Sequence, residues 1–193
     1  MASSSTEAFA STPVVVLVAD LDGFAKLFKT RTDAEMASFL DQYYVVAEDL
    51  VDRAGGRIVK FIGDALLAVF PEAEAPAAVS AAAKLRREVE ELGQRMGMRV
   101  RLGVSVHMGP AVETELGKGP SRRRDVIGRT VNQTFLLGRG AGIRISEPVY
   151  RTLPSAERTP WSKNKPPAVY VLDEAGEVLD GLGKSAPENT ARW

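Results

Sequence analysis

Short apolar runs and longer amphipathic stretches alternate along the first half of the chain. Residues 14–19 form a continuous apolar run, which is typical of a strand buried on both faces. Residues 57–70 form two further apolar runs that meet at Gly63 and Asp64, and this pattern predicts a β-hairpin with a carboxylate at its tip. Alternation along the first of these runs places Lys60 on the same face as Ile58 and Ile62. Residues 99–108 alternate apolar and polar side chains, as expected of a strand with one face in the core.

Two amphipathic helices separate these strands. The first begins at a capping box formed by Thr32 and Glu35 and ends near Gly55. The second follows a proline-bounded connector at 71–76 and closes at Gly93. The helical spacing of apolar residues assigns the aromatic side chains of the first helix to the core. Its apolar stripe is Met36, Phe39, Leu40, Tyr43, Ala47, Leu50 and Val51.

The second half of the chain is less regular. A loop rich in Gly, Pro and Ser at 117–124 ends in arginines, and the helical stretch that contains Asn132 breaks at the glycines of 138–142. Residues 143–145 and 168–172 are short strand candidates. The order strand, helix, hairpin, helix, strand predicts an α/β (α+β) fold with a ferredoxin-like split βαβ core, in which helices pack on an antiparallel-rich sheet.

Length and composition narrow the class of protein. The chain has 193 residues, enough for one domain, which we expect at 13–173 between a flexible arm at 1–12 and a polar tail at 174–193. Its 25 basic and 25 acidic residues balance, so a nucleic-acid-binding surface is not expected. Since cysteine, a secretory signal and a long apolar run are absent, we expect neither a membrane span nor disulfides, and a cytoplasmic location.

Two carboxylates carry the candidate chemistry. In the predicted fold Asp20 ends the first strand, and Asp64 tips a neighbouring hairpin. Taken alone, Gly63 and Asp64 indicate only a turn, but two acids at one sheet edge repel each other and call for a cation. Oxygen ligands favour Mg²⁺ or Mn²⁺, and a paired metal site suits phosphoryl transfer. His107, the single histidine, has no second His or Cys beside it and is interpreted as a residue at the edge of the core.

Four motifs, in order, resemble the catalytic domain of class III nucleotide cyclases. They are residues 20–24, 59–65, 101–109 and 125–132, and the resemblance extends over about residues 14–172. It implies that Asp20 and Asp64 bind two Mg²⁺ or Mn²⁺ ions per site and that Arg101 lies near the phosphates. It also implies that backbone amides of one turn receive the triphosphate, the turn formed by Leu21, Asp22, Gly23 and Phe24.

The same resemblance assigns the rest of the nucleotide. It implies that Lys60 and Asp125 read the base and that Asn132 orients the ribose. Adenine presents an acceptor at N1 and a donor at N6, which lysine and aspartate complement, so ATP is the expected substrate. Arg123 resembles an arginine found there in guanylate cyclases, although it also belongs to a run of surface arginines. Because the family places each substrate between two domains, a chain with one domain is expected to form a homodimer with two composite sites.

One family position differs. The resemblance implies an arginine four residues after Asn132, where it steadies the transition state, but this chain has Leu136. Arg139 follows three residues later, and the glycines beside it allow it to reach the phosphate. Three interpretations therefore stay open: an adenylate cyclase that forms 3',5'-cyclic AMP and pyrophosphate, a degenerate domain that binds nucleotide or a partner without efficient turnover, and a cyclase for GTP or a pyrimidine nucleotide.

Overall fold

A computed structural model describes residues 9–164 and 168–172. The polar tail predicted at 174–193 and residues 1–8 of the predicted arm lie outside these ranges. The strands are β1 Ser11–Leu21, β2 Arg57–Ile62, β3 Ala65–Pro71, β4 Leu102–Leu116, β5 Arg123–Ile127, β6 Gly142–Ser146, β7 Trp161–Asn164 and β8 Val169–Leu172. The helices are α1 Phe24–Leu27, α2 Asp33–Arg53, α3 Ala75–Arg95, α4 Arg129–Phe135 and α5 Glu147–Thr152.

The strands form one mixed sheet in the order β2-β3-β1-β4-β6-β8-β7, and β5 pairs with the second half of β4. β4 and β6 run parallel, whereas the other pairs in the described part of the chain are antiparallel. The predicted α+β fold class and its antiparallel-rich sheet are confirmed. Among the helices of residues 9–164, none combines the length and the apolar character that crossing a membrane requires.

The sheet has two unlike faces. On the helix face, α2 and α3 pack over the larger core, which takes in Leu17, Ala19 and Leu21 of β1. The capping box of Thr32 and Glu35 starts α2 as predicted. The opposite face, called here the open face, carries a smaller apolar cluster, and α4 lies on it through its own Val131. The other members of the open-face cluster are Val14, Val16, Val18, Leu67, Val69, Ala111 and Val126.

A β-bulge at Val59 corrects the sequence interpretation of this strand. Plain alternation places Lys60 on the same face as Ile58, but the register shifts from Ile58 opposite Ala68 to Lys60 opposite Leu67. Val59 is the extra residue, and a bulge of this kind reverses the alternation. Ile58 therefore packs on the helix-face core, while Lys60 lies opposite an open-face residue. The bulge is what turns the charged side chain toward the open face.

Several element boundaries also differ from the pattern. β4 begins at Leu102 and continues to Leu116, because its second half pairs with β5, a strand that the basic composition of 117–124 concealed. α5 and β7 were not predicted. α4 sits close to β4: Thr130 Oγ1 donates to the Pro110 carbonyl at 2.7 Å, and a Cβ on Gly109 would lie 2.8 Å from that hydroxyl.

Candidate active site

Asp20 and Asp64 meet at one edge of the sheet, as predicted. Asp20 is the penultimate residue of β1, and Asp64 lies in the turn between β2 and β3, the strand that pairs with β1. Partial burial raises the pKa of Asp20, and the charge of Asp64, a side-chain hydrogen bond with Asp64 and the charge of Asp22 raise it further. The fold thus holds two acidic side chains in contact with each other.

This pair fits a divalent cation. Residues 9–164 and 168–172 contain no cluster of three or more histidine, aspartate or glutamate side chains of the kind that encloses a metal alone. Mg²⁺ characteristically binds through one or two carboxylates and completes its coordination with water and substrate phosphates. Asp20 and Asp64 supply that number of carboxylates, so the residues present suit Mg²⁺ or Mn²⁺ carried together with a phosphorylated ligand.

The raised pKa of Asp20 leads to a stability prediction for metal-free protein. A carboxyl whose pKa is higher in the folded state than in the unfolded state favours folding at low pH, and this contribution is lost as pH rises through the folded-state pKa. We expect Asp20→Asn to unfold at a higher temperature than wild type at pH 7 in EDTA. The difference should shrink as pH falls toward about 4, the ordinary carboxyl range. Thermal unfolding across pH measures both, and a lower melting temperature for Asp20→Asn at pH 7 would contradict the repulsion.

Two tyrosines of α2 support the turn that carries Asp64. The Tyr44 hydroxyl donates to the Gly63 carbonyl at 2.6 Å, and its ring stacks on Phe61 with centroids 3.7 Å apart. Tyr43 is fully buried, and burial followed by the charges of Asp64 and Asp20 raises the pKa of its phenol far above the ordinary value. Its hydroxyl has no hydrogen-bond partner among the described residues. The sequence pattern assigned Tyr43 to the core correctly but did not reveal that its hydroxyl is close enough to Asp64 and Asp20 for their charges to raise its pKa.

The predicted phosphate turn follows Asp20 directly. The Leu21 and Phe24 side chains are buried, so they position the turn from the core. Gly23 has a φ of 72°, a conformation that glycine adopts readily. The Asp22 amide donates to the Arg101 carbonyl at 2.8 Å, so this one amide of the predicted phosphate turn is already bonded within the chain. The same bond places Arg101, with its exposed side chain, at the edge that carries the carboxylates.

Lys60 and Asp125, the residues assigned to the base, form an ion pair across the open face. Lys60 Nζ lies 2.6 Å from Asp125 Oδ2, and the Val126 amide donates to Asp125 Oδ1 at 2.8 Å. Burial alone raises the pKa of Asp125, but the hydrogen bonds from Lys60 and Val126 and the lysine charge outweigh it and lower the pKa. A second ion pair, between Arg57 and Glu113, also joins β2 to the β4–β5 hairpin.

Arg123 is held by its own loop. Its Nη1 donates to the carbonyls of Pro120 at 2.6 Å and Arg122 at 2.9 Å. The guanidinium is therefore engaged in closing the turn before β5, and it makes no ion pair with Asp125.

The exposed side of α4 carries Asn132 and, at the helix end, Leu136, whose side chain is 78% exposed. Toward the sheet, Gln133 Oε1 lies 3.0 Å from Nε2 of His107. Burial lowers the pKa of His107 and outweighs the opposing effect of that hydrogen bond. His107 is thus partly buried at the edge of the core, where it contacts α4. Arg139 follows Leu136 in the loop before β6, with its side chain exposed.

Sequence reasoning missed Arg144. It lies in β6 between the buried Ile143 and Ile145, and its guanidinium donates to three backbone carbonyls of the preceding loop. An arginine between two core isoleucines in a short strand is the signal that could have marked it, because alternation places it on the opposite face.

Comparisons with known proteins identify what the chain is similar to. The family model of the adenylate and guanylate cyclase catalytic domain matches residues 7–169. An adenylate cyclase of Anabaena cylindrica is 27% identical over 157 residues, which cover 75% of this chain and 31% of that protein. An uncharacterized protein of Mycobacterium tuberculosis is 26% identical over 187 residues, or 90% of this chain and 33% of that protein. The chain spans about a third of the length of these curated relatives.

Two solved structures share the fold. The guanylyl cyclase Cya2 superposes with a TM-score of 0.76 at 21% identity, covering 90% of this chain and 98% of that one. The adenylyl cyclase CyaB from P. aeruginosa superposes with a TM-score of 0.74 at 19% identity, covering 86% of this chain and 96% of that one. Similarity therefore extends to proteins of both base specificities.

Proposed function

The chain belongs to the family of adenylate and guanylate cyclase catalytic domains, and we propose that it converts ATP to 3',5'-cyclic AMP and pyrophosphate. In this reaction the ribose 3'-oxygen attacks the α-phosphorus and the bond from that phosphorus to the β-phosphate oxygen breaks. The hydroxyl proton passes to solvent or to the departing pyrophosphate. The observation that carries the proposal is the preformed Lys60–Asp125 pair in a chain whose Asp20 and Asp64 also meet.

The carboxylates and the turn beside them act on the phosphates. Asp20 and Asp64 would hold the divalent cations, and these ions, when bound, would neutralise phosphate charge and favour ionisation of the attacking hydroxyl. Arg101 lies at the same edge through its backbone bond to Asp22, and its guanidinium is suited to bind phosphate oxygens. Asn132 on the exposed side of α4 is suited to hydrogen-bond the ribose and fix the direction of attack.

ATP is preferred to GTP because of the hydrogen-bonding groups of Lys60 and Asp125, which face the base. Lys60 offers donors for N1 of adenine, and Asp125 accepts from the N6 amino group. Guanine presents a donor at N1, which Lys60 cannot accept. Arg123 does not alter this preference, since its guanidinium is engaged by loop carbonyls.

A homodimer with two composite sites completes the proposal. Apolar side chains are exposed around Asn132 and on the β4–β5 hairpin: Ile127 at 50%, Phe135 at 46% and Leu136 at 78%. Exposed apolar surface next to a functional residue is typical of a protein interface. We assign these residues to the interface with a second copy of the chain. Across this interface, Asn132, Lys60 and Asp125 of one chain complete the active site that contains the metal ligands of the other.

The direct test is product analysis. Purified protein and Mn²⁺ are incubated in four separate reactions with ATP, GTP, CTP or UTP, and the products are identified by mass spectrometry. We expect cyclic AMP as the main product, and a cyclic product from GTP or a pyrimidine nucleotide alone would contradict the assignment of the base.

A charge-reversed base reader sharpens this test. Lys60→Glu replaces the donor opposite adenine N1 with an acceptor, and we expect it to lower the ATP-to-GTP ratio of kcat/KM at least about tenfold, since mismatched hydrogen-bonding groups discriminate strongly. Lys84→Glu is the control, because Lys84 is exposed on α3, which packs on the opposite face of the sheet from Lys60, and it should leave the ratio unchanged. An unchanged ratio in Lys60→Glu would remove Lys60 from base recognition.

Leu136 favours one alternative, a domain that binds nucleotide without efficient turnover. Its 78% exposed side chain occupies the place of a transition-state arginine, and loss of one preorganised donor typically costs about 10²–10³ in rate. Saturable binding of a nonhydrolysable ATP analogue, together with no cyclic product from any nucleotide, would select this alternative.

A further inference from the structure

The loop between α4 and β6 reaches the edge of the sheet that holds Asp20. Gly103 of β4 lies opposite both Asp20 of β1 and Gly142 of β6. A Cβ placed on Gly103 would lie 2.3 Å from the Gly140 carbonyl oxygen and 3.7 Å from the Asp20 backbone oxygen. Only the missing side chain of Gly103 allows this approach. The backbone next to Arg139 therefore packs against the strand partner of Asp20 in the same chain.

Arg144 holds the loop in this place. From β6, on the open face, its guanidinium donates to the carbonyls of Arg139 at 2.6 Å, Gly140 at 2.9 Å and Ala141 at 3.1 Å. Its side chain passes under Gly138, where a Cβ would lie 2.5 Å from Arg144 Cδ. Burial lowers the pKa of Arg144, and the charge of Asp22 opposes that effect. The Arg144 guanidinium is therefore close enough to the turn after Asp20 to interact with the charge of Asp22.

Arg139 is the positively charged residue in the loop that Arg144 holds. Its backbone carbonyl is fixed by Arg144, while its exposed side chain has no hydrogen bond or ion pair with another residue of the described ranges. As a substitute for the arginine absent at Leu136, the role predicted from the sequence, Arg139 would act in the same site as Asn132. The contact with Gly103 instead brings the loop to the carboxylates of its own chain.

We propose that Arg139 binds the β- and γ-phosphates of the nucleotide held over Asp20 and Asp64 of the same chain, and that Arg144 is the positioning residue that fixes the loop for this contact. The inference rests on the proposed function for the identity of the ligand. Guanidinium groups bind phosphate oxygens through paired charge-assisted hydrogen bonds. These two phosphates depart together as pyrophosphate when the bond to the α-phosphorus breaks, so Arg139 also stabilises the charge that develops on the leaving group.

Binding of inorganic pyrophosphate tests the contact without turnover. In the full chain with Mn²⁺, we expect Arg139→Ala to weaken pyrophosphate binding, measured by calorimetry, at least about tenfold, the change typical of losing a charge-assisted hydrogen bond. Arg87→Ala, an exposed arginine of α3, is the matched control. Unchanged pyrophosphate affinity in Arg139→Ala would overturn the proposal, and this holds even if the chain forms no cyclic nucleotide.

Subunit mixing tests which site Arg139 serves. In a heterodimer of a Lys60→Ala chain with an Asp64→Ala chain, the one intact site takes its metal ligands from the Lys60→Ala chain. Adding Arg139→Ala to that metal-donating chain should make the mixture at least about tenfold less active than adding it to the base-donating chain. The reverse order, or equal activities, would overturn the assignment to the same chain. An inactive parent mixture would instead count against the composite site of the proposed function, and the pyrophosphate measurement would then decide alone.

The positioning role of Arg144 is tested by combining its substitution with that of Arg139. Arg144→Met retains an apolar chain of similar length but cannot bind the three carbonyls, and we expect it to weaken pyrophosphate binding in the presence of Arg139 and to have no added effect in an Arg139→Ala chain. A purely structural role would lower the melting temperature and weaken binding in both backgrounds equally. Independent, additive losses from the two substitutions would therefore overturn the positioning role.

Discussion

Asp64→Ala is expected to lower the rate of cyclic nucleotide formation at least about 10³-fold, because metal ions contribute several kcal/mol of transition-state stabilisation. Asp20 and Asp64 are the acids that the fold brings together at this sheet edge, and removing one leaves the cations a single carboxylate. Asp64 lies in a turn and is only partly buried, so its removal leaves no cavity in the core. The loss is expected in activity and not in folding.

The measurement combines steady-state turnover with Mn²⁺, Mn²⁺ binding and thermal unfolding. We expect Asp64→Ala to lose turnover and to bind Mn²⁺ more weakly, while its melting temperature in EDTA equals or exceeds that of wild type because a repulsive contact has been removed. Asp52→Ala, at an exposed position of α2, is the control for loss of one negative charge. Turnover within tenfold of wild type in Asp64→Ala would remove the carboxylate pair from the mechanism.

The meeting of these two acids was predictable because it depends on connectivity alone. Residues 14–19 are apolar without interruption, so they form a central strand, and an acid directly after such a strand lies at the sheet edge. A tight turn between two paired strands lies at the end of its hairpin, and this places Asp64 at the sheet edge as well. The capping box at Thr32 was predictable for the same reason, since both partners lie within one turn of chain.

The open face was harder to predict because it depends on register. No residue type around Val59 indicates a bulge in the sequence. The bulge nevertheless decides whether Lys60 points to the helices or to Asp125. The family resemblance linked Lys60 to Asp125, whereas alternation assigned Lys60 to the face of Ile58. Only the three-dimensional register reconciles the two.

Backbone contacts explain the remaining differences. The Arg101 carbonyl accepts a hydrogen bond from the Asp22 amide, and the Arg144 guanidinium donates to backbone carbonyls of the loop after α4. The carbonyls that accept these hydrogen bonds leave no pattern in the sequence, since backbone groups are common to all residues, and only the donor Arg144 is marked by its place between Ile143 and Ile145. The position of Arg139 follows from these contacts and from the absence of a side chain at Gly103, not from its spacing after Asn132.

Mixing two inactive chains is the prediction that bears most directly on the composite site. Lys60 and Asp64 are separated by the last residues of β2 and the turn, a path of about 13 Å at the usual rise of a strand. One nucleotide could span such a distance within a single chain. The homodimer proposal instead assigns Lys60 and Asp64 of one chain to opposite active sites. The two arrangements make different predictions about complementation.

Lys60→Ala and Asp64→Ala are each expected to be nearly inactive as pure homodimers, because every composite site then lacks either its base reader or a metal ligand. After subunit exchange, each heterodimer has one site with both and one site with neither. Random pairing makes about half of the dimers heterodimers, so activity should recover to about a quarter of wild type by twofold symmetry. A mixture of Asp20→Ala with Asp64→Ala is the matched control and should stay inactive, since both acids belong to the same site. If the first mixture also stays inactive while native mass spectrometry shows heterodimers, Lys60 and Asp64 serve one site of a single chain.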